Sequence, residues 1–285
     1  MTIDYDKLLN HKFEPVEQVY SSKDSILYAL GVGLSADPCA MDQLRFTYEE
    51  DQLALPTMFV VMASPGFFLK EPEYGVDWVK VLHGEQGLEI HKSLPASGHL
   101  IGETRITEII DKGEGRGALI FSDRKIYNKQ TGDKLCTLTS TTFARGDGGF
   151  GGPKIEAPKP HILPDRAPDS VVELPTLPQA ALIYRLSGDF NPLHADPRVA
   201  TAAGFKAPIL HGLATLGAAG HAILKEVCDY NPDRFKSLKL RFTSPVYPGE
   251  TIVTEIWKDG YDISFRSRVK ERDVVVLNNG LAVVT

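Results

Sequence analysis

Tyr184-Arg-Leu-Ser-Gly-Asp-Phe-Asn-Pro-Leu-His194 places a carboxylate and an imidazole five residues apart, Asp189 and His194, with Gly188 before the first and Pro192 before Leu193-His194. Glycine reaches backbone angles closed to other residues, and proline fixes its own φ. The residue before a proline is pushed out of the helical region. Phe190-Asn191-Pro192 is therefore expected to form a stiff, non-helical turn that aims Asp189 and His194 at one point. An acid/base pair requires this: two proton-exchanging groups, held still, within reach of one small molecule. From the residues alone, a helix-ending turn with a solvated aspartate and a surface histidine explains the spacing as well.

The stretch resembles the signature of the R-specific enoyl-CoA hydratases, the MaoC-like or hydratase 2 family. That pattern is an aromatic residue, a short gap, then Ser-Gly-Asp-x-Asn-Pro-Leu-His, and Tyr184 and Ser187 to His194 match it throughout. The similarity runs over nearly the whole chain and is strongest to the hydratase portion of the peroxisomal multifunctional enzyme type 2. The resemblance implies a hydro-lyase that hydrates trans-2-enoyl-CoA to (3R)-3-hydroxyacyl-CoA in fatty-acid β-oxidation. It implies a site of Asp189 and His194 as catalytic pair, with His83, Gly84, Lys112, Phe190, Asn191, Pro192, Leu193, Gly212 and Phe242 on the acyl-CoA. It also implies a homodimer, in the peroxisome if the chain serves a eukaryotic β-oxidation system and in the cytoplasm otherwise. No cofactor is expected, because CoA is part of the substrate.

A chain of 285 residues with a 42% hydrophobic and 24% charged composition can bury a large core as an ordinary globular protein. A formal charge of −6 speaks against nucleic acid and against a broad patch for anionic membranes. Cys39, Cys136 and Cys228 have no paired spacing, which fits a reducing compartment and neither a disulfide frame nor a zinc site. No run of residues has metal-ligand spacing. The first residues, Met1 to Lys7, do not read as a secretory signal, and Leu281 to Thr285 is not a Ser-Lys-Leu address. No apolar run is long enough to span a membrane.

Along the chain, Ser22 to Leu30 reads as a capped short helix, followed by Gly31-Val-Gly33 and Ala36, an imitation of a dinucleotide fingerprint. A fingerprint needs a strand ahead of it, so a helix C-cap is the better reading. Gln43 to Tyr48 alternates like a strand; Leu55 to Ala63 is a short buried helix or strand. His83 and Gly84 interrupt a strand pattern from Val79 to Ile90, which marks a bend, either a plain bulge or an opening for a ligand. Gly98–Asp111, Gly117–Tyr127 and Leu135–Phe143 form an antiparallel meander, with Lys112 at one loop tip where solvation alone would explain it. A Gly- and Pro-rich linker over 146–170 then separates an N-terminal half, 1–145, from a C-terminal half, 171–285. In the second half Leu177–Leu186 is helical, a short helix reaches Ala203, and Pro208–Val227 is a long helix apolar on nearly all sides. Strand patterns follow at Leu238–Phe242, with an extension to Val246, then at Thr251–Trp257, Ile263–Val269 and Val274–Val284.

A buried helix followed by antiparallel strands is the hot-dog arrangement. The halves echo each other: Leu94-Pro-Ala-Ser-Gly98 and Asp111-Lys-Gly113 in the first parallel Ser244 to Gly249 and Lys258-Asp-Gly260 in the second. The fold class is thus α+β, a double hot-dog of two antiparallel sheets each wrapped around a helix. The first helix is abbreviated, which leaves a tunnel for a bulky acyl chain, as the resemblance also implies. In the chemistry expected, His194 takes a proton from one water, its ordinary pKa near 6.5 suiting exchange at neutrality. Asp189 orients that water and handles the proton for C2, and Asn191 braces the pair. Gly212 offers a backbone N–H to the thioester oxygen at a helix start. His211 beside it reads as a plain helix N-terminal residue. A thioesterase on the same fold and a non-catalytic acyl-CoA-binding subunit are the alternatives; an intact signature argues against both.

Overall fold

A computed structural model describes residues 2–285. The first half runs through helix α1 (Tyr5–Leu9), strand β1 (Val16–Tyr20), helices α2 (Ser22–Gly31) and α3 (Leu44–Thr47), a 3-10 helix at Pro56–Val61, and strands β2 (Val81–Ile90), β3 (Gly98–Asp111), β4 (Ala118–Asn128) and β5 (Lys134–Ala144). Residues 151–164 carry no regular secondary structure. The second half runs through β6 (Ser170–Pro175), α4 (Ala180–Tyr184), α5 (Pro197–Ala202), α6 (Gly212–Glu226), β7 (Phe235–Phe242), β8 (Thr251–Asp259), β9 (Asp262–Val269) and β10 (Val274–Val284).

The strands do not make two separate sheets. They form one ten-stranded sheet in the order β1-β3-β4-β5-β2-β7-β10-β9-β8-β6. Each half has the same internal order, counted from its own first strand, and the halves join edge to edge where β2 pairs with β7. An unpaired edge strand is a liability, and this seam removes one from each half. Glu85 of β2 and Arg241 of β7 close the seam, with Nη2 of the arginine 2.6 Å from the carboxylate.

The sheet curls around α6. Ala214 to Leu224 of that helix are all buried, as a helix apolar on every side must be. Two of its glycines admit neighbouring segments of the first half: a Cβ on Gly217 would strike Val32 Cγ1 at 2.5 Å, and one on Gly220 would strike Thr57. Thr57 belongs to the 3-10 helix Pro56–Val61, which fills the place in the first half that α6 fills in the second. The abbreviated first helix is that single short segment, and α6 and the segment lie against each other.

Two sequence expectations fail for identifiable reasons. Gln43–Tyr48 alternates like a strand, yet Leu44–Thr47 is a helical turn with only Phe46 fully buried. The alternation there reflects one anchor residue beside α2, not a sheet face. The extension of β7 to Val246 is absent as strand, since Pro245 cannot donate to a ladder. Strands β1 and β6, both short and at the sheet edges, carried too little pattern to be expected. Ser21 and Asp24 cap α2 through a 2.7 Å bond from the Ser21 N–H, and Gly33 leaves it with φ +89°, so Gly31-Val-Gly33 ends a helix and is no nucleotide loop. Cys39, Cys136 and Cys228 are all unpaired.

Candidate active site

The signature turn is built as its residues dictate. Gly188 sits at φ +123°, where a side chain would be strained, and lets the chain leave the α4 turn. Asn191 takes φ −55°, ψ 122°, the extended geometry a following proline demands. The N–H of Asn191 donates to Asp189 Oδ1 at 3.1 Å, and Asn191 Oδ1 accepts from the Leu193 N–H at 3.0 Å. Asn191 thus braces the pair through its backbone on one side and its amide oxygen on the other. Phe190 and Pro192 are exposed at the mouth, and Arg185 lies 5.1 Å over the Phe190 ring.

His194 is buried, and its Nδ1 lies 2.8 Å from the Ile209 carbonyl oxygen. A carbonyl only accepts, so Nδ1 carries the hydrogen and Nε2 keeps its lone pair. Burial holds the imidazole below its ordinary pKa, with the Ile209 carbonyl and the Asp189 charge opposing that shift. His194 is therefore neutral near pH 7 with an available basic nitrogen.

The residue that sequence reading set aside is His211. It is the N-cap of α6, and its ring stacks on His194 with centroids 3.7 Å apart at 27°. Its Nε2–H donates to the Asp189 carbonyl oxygen at 3.1 Å. Burial first, then the neighbouring His194, bring its pKa down to about 4. The one sequence signal was that His211-Gly212 repeats the dipeptide His83-Gly84.

Asp189, His194 and His211 each bring one nitrogen or carboxylate oxygen within 4.8 Å of the others, although no ligand spacing is visible in the sequence. That grouping could suggest a metal. A metal needs both imidazole lone pairs to converge on one point, and lone pairs lie in the ring planes. Stacked rings present them side by side, so the trio is poorly made for an ion.

Gly212 opens α6, where the first N–H groups have no intrahelical acceptor and the helix dipole favours negative charge. A Cβ there would stand 3.3 Å from two atoms of the Phe242 ring. The Phe242 ring in turn lies 4.7 Å from the His83 ring. His83 Nε2 is 3.1 Å from Ser140 Oγ, and burial pushes its pKa down to about 4. The expected bend is a bulge: the β2–β5 register slips between His83 and Glu85, so Gly84 stands out of the ladder. Asp189, His194, Gly212, Phe242 and His83 therefore form one continuous surface.

Lys112 is not part of that cluster. It lies at the rim of the sheet, in the turn between β3 and β4, its Nζ 4.8 Å over the Phe143 ring, and Phe143 stands on the sheet face opposite Ser140 and His83. Asp111 fixes this rim: its carboxylate accepts N–H bonds from Gly113, Gly149 and Gly151 at 2.7, 2.7 and 2.8 Å. The start of the Gly-rich segment is thus a nest around one carboxylate, which sets where Lys112 stands.

Family models of a MaoC like domain and of an MFE-2 hydratase 2 N-terminal domain match residues 161–280 and 19–146. The peroxisomal enoyl-CoA hydratase 2 of Arabidopsis thaliana is 37% identical over 95% of this chain and 93% of its own length. The chain belongs to the hydratase 2, MaoC-like family. The peroxisomal multifunctional enzyme type 2 of Mus musculus is 41% identical to this hydratase 2 member over 95% of the chain, which spans only 37% of that longer protein. A MaoC-like dehydratase structure from Phytophthora capsici superposes with a TM-score of 0.86 at 36% identity, covering 98% of both chains. The hydratase 2 fold is the double hot-dog, with its two sheets fused into one.

Proposed function

We propose that this protein hydrates trans-2-enoyl-CoA thioesters to (3R)-3-hydroxyacyl-CoA. The observation that carries the reading is that a ring nitrogen of His194 and a carboxylate oxygen of Asp189 lie within 4.8 Å of each other, while the Ile209 carbonyl holds His194 Nδ1. A separation within 4.8 Å is what one water spans with two hydrogen bonds of about 2.8 Å. His194 takes a proton as the water oxygen bonds to C3. Asp189, as carboxylate, orients the water, then receives the proton that His194 has taken and passes it to C2, so both groups end as they began. Negative charge on the thioester oxygen is met by the Gly212 N–H at the start of α6. His83, Gly84 and Phe242 hold the thioester from the opposite wall, and Phe190 to Leu193 frame the entrance. Lys112 at the rim receives the CoA phosphates, for which a cation is suited. The chemistry is proton transfer alone and calls for no redox group or metal.

The peroxisomal names of relatives support a place in peroxisomal fatty-acid β-oxidation, and the family resemblance supports a homodimer. Among the described residues no helix is long and apolar enough to cross a membrane. The test is incubation with crotonyl-CoA and with a long-chain enoyl-CoA, following loss of the conjugated double bond and product chirality. The expected product is the 3R alcohol. Release of free CoA thiol without hydration would make the protein a thioesterase, and neither reaction would leave a binding subunit.

A further inference from the structure

On the inner face of the first half, the hydrophobic side chains fall into two groups. Leu88, Leu100, Ile126 and Leu138 belong to the core around α6. Ile106, Ile109, Ala118, Ile120 and Ala144 belong to a second cluster under α1. Strand alternation puts Ala118, Ile120, Ser122, Arg124 and Ile126 of β4 on the same face, so Ser122 and Arg124 lie between the two cores. The neighbouring strands continue this polar trough. Ser122 pairs with Ser140, Ser140 with Gln86, and Arg124 with Thr104. His83 bonds to Ser140 at its reactive end.

Arg124 is the anomaly in the trough. It is half-buried, and its one hydrogen bond is from Nη2 to the Val60 carbonyl oxygen at 2.8 Å. Its Nε is buried without a partner, as is the hydroxyl of the adjoining Thr104. Among the described residues Arg124 forms no ion pair, and burial lowers its pKa to about 10 with no carboxylate opposing the shift. An interior guanidinium without a counter-ion is costly, and unpaired buried donors add to the cost. Anchoring one carbonyl does not require a charged fork of five donors. The trough stays partly open to solvent at Arg124, so a ligand can reach it.

Position along the strand says which part of a ligand arrives there. Asp111, beside the rim lysine, pairs with Ala118; the Ile120 rung follows, then the Ser122 rung, whose Ser140 bonds to His83; Arg124 lies one rung beyond. Two residues of strand cover about 7 Å. With CoA at Lys112 and the thioester at His83, Arg124 meets the far end of a short or medium acyl chain. We propose that Arg124, with Thr104, seats a carboxylate at the distal end of the acyl chain, so that the protein selects enoyl-CoA thioesters of dicarboxylic acids. This rests on the proposed acyl-CoA reading and names the substrate class within it. A carboxylate would take two N–H bonds of the guanidinium fork and supply the missing charge. A methyl terminus would leave both orphans unsatisfied.

The test is calorimetric binding of saturated thioesters, which reads affinity whether or not the protein hydrates anything. Hexanedioyl-CoA and octanedioyl-CoA mono-thioesters are compared with hexanoyl-CoA and octanoyl-CoA, on the native protein, Arg124→Met and Arg124→Lys. The native protein should bind the carboxylated ligand of the better length about 10- to 100-fold more tightly than its plain counterpart, the range of a charge-assisted pair. Arg124→Met should lose that preference while binding the plain ligand at least as well, and Arg124→Lys should keep part of it. Because each preference is a ratio on one sample, a general loss of folded protein cancels. A native preference for plain chains at both lengths, or a carboxylate preference that survives in Arg124→Met, overturns the proposal. Loss of hydration activity with the binding preference intact would instead count against the hydratase reading alone.

Discussion

His194 owes its basicity to one carbonyl. The Ile209 oxygen claims Nδ1–H and leaves Nε2 open, and burial keeps the ring neutral. Removing either member of the proton pair should leave a folded protein with little turnover. Asp189→Asn and His194→Gln are each expected to lower kcat by about 10²-fold or more, the scale of general acid–base catalysis. Near-normal hydration by either variant would remove it from the chemistry. The sign of the pH dependence follows from the His194 shift. Its pKa is lowered, so kcat/KM should rise with pH through an inflection below 6.5, the ordinary histidine value, and be flat by neutrality. An inflection above that value would mean that the group seen is a different one.

At the level of elements, the proposed mechanism assigns charge development to the start of α6 and substrate capture to the Asp111 turn. Gly212→Ala puts a methyl 3.3 Å from the Phe242 ring, in the path of a ligand approaching the Gly212 N–H. A helix start tolerates alanine at modest cost, so activity should fall by about 10²- to 10³-fold, as when an oxyanion donor is lost, with only a small drop in melting temperature. A large Tm drop with parallel loss of activity would make Gly212 a packing residue. Lys112→Ala should raise KM several-fold at low salt with kcat little changed, because a remote phosphate contact contributes uniform binding. An unchanged KM would leave Lys112 as a solvated loop residue.

For the molecule as a whole, burial of imidazoles has a consequence for stability. His83, His211 and His221 all have pKa values brought down to about 4, in each case with burial as the first cause. The unfolded chain protonates these groups near 6.5 and the folded one does not until about 4. Between those values the unfolded state binds more protons, so stability rises with pH and is lost as pH falls through that window. Melting temperature should therefore decline steadily from pH 7 to pH 4, and His221→Gln, remote from the active site and bonded to Tyr230, should flatten the decline. An unchanged slope in that variant would place the acid sensitivity elsewhere.

The long strands, the buried helix and the signature turn were legible in the sequence because each rests on local rules. Alternation marks a strand with one buried face, apolarity on every side marks an enclosed helix, and Gly188 and Pro192 dictate the angles around Asp189. The resemblance of that turn to a known family then supplied the chemistry. What no local rule carries is which distant residues meet. That the two halves share one sheet depends on β2 finding β7, a pairing about 150 residues apart in the chain. The stacking of His211 on His194, the nest that Asp111 makes from the Gly-rich segment, and the unpaired charge of Arg124 between two cores all arise from such long-range closure. Sequence spacing determines how a side chain points from its own element; only the packed fold decides what stands opposite it.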